Sequence, residues 1–188
     1  QQSRKGDIEL TEDEAVQNAR PEKSPQLRPA FKKDGTITAA NASSISDGAA
    51  ALVLSTAGAA NRDGHSPLAR IVAHAGHAQA PEWFTTAPVE AARKVMDKAG
   101  WKAEDVDLFE VNEAFAVVTM AAMKELNIPH EKMNVNGGAC ALGHPIGASG
   151  ARIVVTLVHA LRARGLKKGV AAICLGGGEA TAIAIKII

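Results

Sequence analysis

Asn136–Arg152, N-G-G-A-C-A-L-G-H-P-I-G-A-S-G-A-R, is the stretch around which the rest of the chain is read. Gly137, Gly138, Gly143, Gly147 and Gly150 surround a single histidine, His144. Glycine serves where a backbone must take a positive φ or approach a ligand closely. A loop so poor in side chains, opening into the apolar run Ile153 to Leu161, points to backbone groups that bind. The competing reading is a tight connection in which His144 only satisfies a buried acceptor. Pro145 biases His144 to an extended backbone. A neutral imidazole there can take a proton from a nucleophile or donate a hydrogen bond to an oxyanion.

Two other stretches bring polar groups to strand ends. Val106 to Val111 reads as a strand ending at Asn112-Glu113-Ala114-Phe115. An asparagine at that edge can hold a water or an oxygen, because open α/β sheets bind ligands beyond the carboxyl ends of their strands. The alternative is that Asn112 caps the following helix. Glu113 reads as a first-turn acid or a structural hydrogen-bonder rather than a general base. The second stretch is Cys174-Leu175-Gly176-Gly177-Gly178. A thiol at the end of a buried strand is commonly a small core hydrophobe. Three glycines immediately after it leave backbone N–H groups open to a ligand, and a thiol of pKa about 8.5 cycles as acid and base if its surroundings lower that value. Cys140 lacks such a context and reads as structural.

Composition limits the alternatives. The 188 residues carry 21 Lys plus Arg against 20 Asp plus Glu, so no basic field points to nucleic acid. Aromatic residues make up 3% and tyrosine is absent, which removes base-stacking platforms. The chain's 2 cysteines have no spaced partners, so neither a disulfide framework nor a metal site is expected. No apolar run reaches the roughly 20 residues of a membrane span. A cytoplasmic protein is the expectation, with mitochondrial or peroxisomal residence left open.

Elsewhere the pattern alternates helices and short strands. Thr11-Glu12-Asp13-Glu14 fits a capping box opening a short helix before Pro21, with extended chain or loop after it. Ala49 to Leu54 is a continuous apolar run, expected as a strand buried on both faces or a helix followed by a strand. Thr56 to Asn61 predicts a short helix, Leu68 to Ala73 a strand, and Ala73 to Glu82 a loop. Val89, Ala92, Val95, Met96 and Ala99 fall at helical spacing before Gly100. Ala114 to Leu126 and Ser149 to Arg164 predict two more helices, and Asn134 to Asn136 a short strand. Gly169 to Leu175 and Ala180 to Ile188 form a closing strand pair. The fold class is α/β, layered.

These stations together resemble the thiolases, the acetyl-CoA acetyltransferases. The likeness lies in Asn41 to Gly48 (N-A-S-S-I-S-D-G), Asn112 to Ala116 (N-E-A-F-A), Asn136 to Arg152 and Cys174 to Gly178, with Arg28-Pro29-Ala30-Phe31 also similar. The resemblance implies a thiolase-like layered fold, a central mixed sheet with helices on both faces. It implies that His144 activates a nucleophilic cysteine and, with a water held by Asn112, forms an oxyanion hole. It implies Cys174 as the second acid/base and the Gly176 N–H as part of another oxyanion hole. Ser43, Phe31 and Phe115 would lie along the pantetheine arm of coenzyme A. Coenzyme A and acetyl-CoA would be substrates, with no permanently bound cofactor.

One feature departs from the family: no residue matches its acyl-accepting cysteine. The chain therefore reads as the C-terminal half of a thiolase. Residues 1–43 would be the tail of the loop domain, 44–67 a remnant of the N-terminal domain and 68–188 the C-terminal domain. The nucleophile would lie in an absent N-terminal half, acting as partner within a homodimer or homotetramer. A non-catalytic subunit that binds coenzyme A or serves assembly is the other reading.

Overall fold

The computed structural model describes residues 2–3, 6–7, 9 and 11–188 and divides into two units, Gln1–Ala40 and Asn41–Ile188. In the first, β1 (Gln2–Ser3) pairs antiparallel with β2 (Gly6–Asp7). The short helix α1 (Glu14–Asn18) is capped by Asp13, whose carboxylate accepts from the Ala15 N–H at 2.8 Å, not by Thr11. Pro21–Gln26, expected as extended chain or loop, winds into a 3-10 turn, because Pro21 and Pro25 both hold φ near the helical value. None of the described residues from Gly6 to Ala40 is buried, so this unit has no core of its own there.

The second unit contains α2 (Ala57–Arg62), β3 (Ala69–Ala78), α3 (Ala87–Ala99), β4 (Leu108–Val111), α4 (Ala116–Leu126), α5 (Ala139–Leu142), α6 (Ile146–Ala163), β5 (Lys168–Leu175) and β6 (Glu179–Ile187). The strands form one sheet in the order β3-β6-β5-β4, with β4 and β5 parallel and the other two pairs antiparallel. Helices cover both faces, as the layered mixed-sheet reading requires.

The period-2 pleat sorts the side chains. Ala180, Ala182 and Ala184 of β6 join Val170 and Ala172 of β5 on the face that meets α3 and α4. Their small size lets α3 sit close, through its own Ala87, Ala91, Ala92 and Val95. On the opposite face, Ile185 and Ile187 join Leu108 and pack on Ile153, Leu157 and Leu161 of α6. Each such buried branched side chain contributes roughly 1.5–3 kcal/mol of transfer free energy. α6 is long and apolar enough to cross a membrane, but its buried stripe of Ile153, Leu157 and Leu161 rests on the sheet, as in a core helix.

Three expectations fail. Ala49–Leu54 forms no strand: Val53 is 99% exposed and Leu54 71%. A strand is stable only when its backbone groups find a ladder, and the described sheets pair other segments. The stretch Ala73–Glu82 is not all loop, because β3 continues to Ala78 by pairing residue for residue with β6 from Ile183 back to Glu179. Alanine, histidine and glycine are weak strand formers, so here the partner strand overrides propensity. Asn134–Asn136 is no strand either. Asn134 takes φ 45°, and its side-chain amide replaces a backbone partner for Val111, accepting from the Val111 N–H at 2.9 Å and donating to the Val111 carbonyl at 2.8 Å.

Candidate functional site

Because β4 and β5 run parallel, their C-terminal ends share one edge. The Asn112 N–H donates to the Ala172 carbonyl at 3.0 Å, extending the ladder one residue past β4. Cys174 lies two residues further along β5, and Gly176 opens the exposed turn that joins β5 to β6. Asn112 does not cap a helix, since α4 begins at Ala116 after an extended Phe115. Its side chain is instead 1% exposed and faces His144, with Nδ2 at 3.3 Å from Nε2.

The protons along this contact have one consistent arrangement. Ser149 Oγ lies 2.6 Å from His144 Nδ1 and donates its only proton to the Pro145 carbonyl at 3.0 Å. Ser149 must then accept from Nδ1–H, which leaves a lone pair on Nε2 towards the Asn112 amide. Asn112 Oδ1 in turn accepts from Arg152 Nη2 at 3.4 Å. Burial, followed by the positive charge of Arg152, lowers the His144 pKa, so the imidazole is neutral and its Nε2 lone pair is free. The sequence reading missed Ser149, which lies one helical turn past His144.

Two carboxylates support this edge. Glu113 accepts from Asn134 Nδ2 at 2.7 Å and from the Cys140 N–H at 3.1 Å, tying the glycine loop to the sheet. Gly138 makes that approach possible, because a Cβ there would fall 2.3 Å from the Glu113 carboxyl carbon. Glu110, also missed, is 1% exposed on β4, with Oε2 at 3.7 Å from Arg152 Nη1. Burial outweighs the arginine and pushes its pKa up to about 7. The signal for Glu110 was a charge inside the apolar run Leu108-Phe109-Glu110-Val111.

Asn41–Gly48 crosses over this edge. The Ser43 N–H and Oγ both donate to the Ala114 carbonyl, at 3.1 and 3.0 Å, and the Ala116 N–H donates to Asn41 O at 2.9 Å. Ser43 therefore sits beside Phe115, whose ring meets Phe84 edge-on at 6.3 Å. The His144 N–H donates to Ser44 O at 2.8 Å, which fixes the histidine backbone. A concavity of about 400 Å³ adjoins Pro145, lined by Ser46, Asp47, Gly48, Ile146 and Gly147. A larger one of about 870 Å³ lies between α3 and α4 and includes none of the predicted site residues. Phe31 belongs to the first unit and is 70% exposed there.

The cysteines differ from expectation in one respect. Cys174 was expected to cycle if its surroundings lowered its pKa; burial instead raises it, so the resting group is the thiol. Cys140 is pushed up to about 11 by burial and the Glu113 carboxylate, which suits a structural residue.

A family model described as "Thiolase, C-terminal domain" matches residues 65–187, and one described as "Thiolase, N-terminal domain" matches residues 1–58. The chain belongs to the thiolase family. The second match corrects one expectation, for N-terminal thiolase sequence is present in residues 1–58 rather than absent. The chain is 53% identical over 186 residues to "Acetyl-CoA acetyltransferase B, mitochondrial" of Xenopus laevis, covering 98% of itself and 44% of that relative. The crystal structure of the Bacillus anthracis acetyl-CoA acetyltransferase superposes with a TM-score of 0.88 at 47% identity, covering 91% of this chain and 43% of that one. That of Acat5 thiolase from Ascaris suum in complex with coenzyme A gives a TM-score of 0.85 at 46% identity, covering 95% and 47%. This thiolase chain thus spans under half the length of each of these relatives.

Proposed function

We propose that this stretch supplies the base, the oxyanion donors and the second acid/base group of an acetyl-CoA C-acetyltransferase or 3-ketoacyl-CoA thiolase. The reaction is Claisen condensation or thiolysis of acyl-CoA thioesters, with coenzyme A as substrate. The observation that carries this reading is the chain of contacts from Asn112 through His144 to Ser149, which presents the Nε2 lone pair of a neutral imidazole beside an amide donor. His144 takes the proton of the acyl-accepting thiol and, with a water held by Asn112, later donates to the thioester oxygen. Neither Cys140 nor Cys174 takes the acyl-accepting role. Cys174, held as a thiol, protonates the enolate leaving in thiolysis; once deprotonated it is a strong enough base to take the α-proton in condensation. Gly176 gives its N–H to the oxyanion of acyl transfer, and the open space above it supports that role. Ser43 and Phe115 line the pantetheine path. Residues 1–43, 44–67 and 68–188 act as loop-domain, N-terminal and C-terminal portions of a cytoplasmic dimer or tetramer.

Alkylation of the folded chain tests the reading. Coenzyme A should slow iodoacetamide labelling of Cys174 and leave Cys140 unchanged. Equal labelling of both, insensitive to coenzyme A, would overturn the catalytic assignment in favour of a non-catalytic thiolase-like subunit.

A further inference from the structure

Glu110 and Arg152 play no part in that chemistry, yet they lie directly beneath it. A strand carries its side chains alternately, so Glu110 and Asn112, two residues apart, point to the same face, the one covered by α6. Arg152 descends from the second turn of α6 to meet both, with Nη1 at 3.7 Å from Glu110 Oε2 and Nη2 at 3.4 Å from Asn112 Oδ1. Glu110 is 1% exposed, and its Oε1, like Arg152 Nε and Nη1, has no hydrogen-bond partner among the described residues. Such a pair is a poor device for stability, since apolar residues of similar volume commonly do as well or better. Its placement has a different consequence. An asparagine amide presents an oxygen or an NH2 group with nearly the same shape, and only the NH2 group can donate to Nε2. A guanidinium only donates, so the Asn112 end facing Arg152 must be the oxygen.

We propose that Arg152, anchored by Glu110, is the positioning residue that keeps the Asn112 NH2 group towards His144 Nε2. This rests on the reading of Asn112 and His144 as the reacting pair. The charged groups acting on Glu110 are Arg152 and Glu113, and the one acting on His144 is Arg152. A flipped Asn112 would set its oxygen against the Nε2 lone pair and deprive an oxyanion of its donor.

Nitrogen-15 NMR of His144 and of the Asn112 side chain in the 188-residue chain, recorded against pH, tests this without turnover or coenzyme A. In Arg152→Gln the Nε2 hydrogen-bond shift should be lost, the Asn112 NH2 resonances should move, and the His144 midpoint should rise because a nearby positive charge has gone. Arg152→Lys keeps the charge but not the planar reach, so the midpoint should stay low while the Asn112 signals still move. Unchanged Asn112 and Nε2 signals in folded Arg152→Gln would overturn the proposal. Should that variant fail to fold, Glu110→Gln must shift the same Asn112 signals, and unchanged signals there would overturn it equally. Loss of coenzyme A protection at Cys174 with these NMR results intact would condemn the catalytic reading and leave the positioning role standing.

Discussion

The glycine-rich edge of the sheet and the apolar run Ala49–Leu54 are both conspicuous in the sequence, yet the structure treats them oppositely. At the edge, each unusual residue meets a specific partner within the chain: Gly138 meets Glu113, Asn134 meets Val111, and His144 meets Ser44, Ser149 and Asn112. Ala49–Leu54 has the stronger hydrophobic signal but no ladder, and Val53 is 99% exposed. Apolar content shows that a segment seeks burial, whereas partners decide whether it finds it. Substitutions should therefore be costly at the edge and nearly silent in the run.

The largest effect is expected at Gly178, in the turn after Cys174. Its φ is +89°, and a Cβ would fall 2.2 Å from the Gln79 carbonyl oxygen. That carbonyl is backbone and cannot step aside as a side-chain end can. Strain at a left-handed residue and overpacking each cost about 1–3 kcal/mol, so Gly178→Ala should lose about 2–6 kcal/mol in urea unfolding. A loss under about 0.5 kcal/mol, the level of an ordinary surface change, would show that the turn is not closed against Gln79.

Next comes the buried carboxylate under the edge. Folding raises the Glu110 pKa from 4.5 to about 7, so between those values the native state holds a proton that the unfolded state has lost. The unfolded state binds fewer protons there, so the Glu110 contribution falls as pH rises through that window, by about 3 kcal/mol in total. His144 has the opposite sign: its pKa is lowered, so its contribution is complete above 6.5 and is lost as pH falls below it. Subtracting the Glu110→Gln stability profile from that of the unaltered chain isolates the carboxylate. The difference should decline from pH 5 to pH 7.5. A flat difference would mean that Glu110 is ionised throughout.

A smaller loss is expected for Gly138→Ala. Here the new Cβ meets the end of a side chain, and Glu113 can withdraw by giving up its bonds to Asn134 and Cys140. Breaking them costs about 1–3 kcal/mol, and the Cys140 thiol should alkylate faster as the carboxylate moves away. An unchanged Cys140 rate with full stability would show that Glu113 does not hold the loop.

What was legible in the sequence follows the same division. The stripe Val89, Ala92, Val95 and Met96 and the closing strand pair could be read because 3.6-residue and two-residue periods depend only on neighbours along the chain. The glycine-rich loop and the end of an apolar strand drew attention to His144 and Asn112, which the structure sets 3.3 Å apart. Less legible was anything decided across the sheet. β3 beyond Ala73 exists because β6 lies beside it, and Asn134 completes a ladder with its side chain instead of its backbone. Ser149, Arg152 and Glu110 belong to elements whose meeting no local pattern announces, though a glutamate between Phe109 and Val111 was a clue.

The smallest expected effect completes the contrast. Val53→Ser removes an apolar group that is already in water, so by the surface rule the 188-residue chain should change in stability by no more than about 0.5 kcal/mol. β-branched side chains stabilise strands through cross-strand and same-face neighbours, and Val53 lies outside the described strands. Solubility at high concentration should rise, because an exposed valine-leucine run with strand propensity invites edge-to-edge pairing between copies. A loss of 2 kcal/mol or more, the scale of a buried valine, would mean that Val53 is buried in solution. In that case the run would resemble the glycine edge, a segment whose partner is supplied rather than missing.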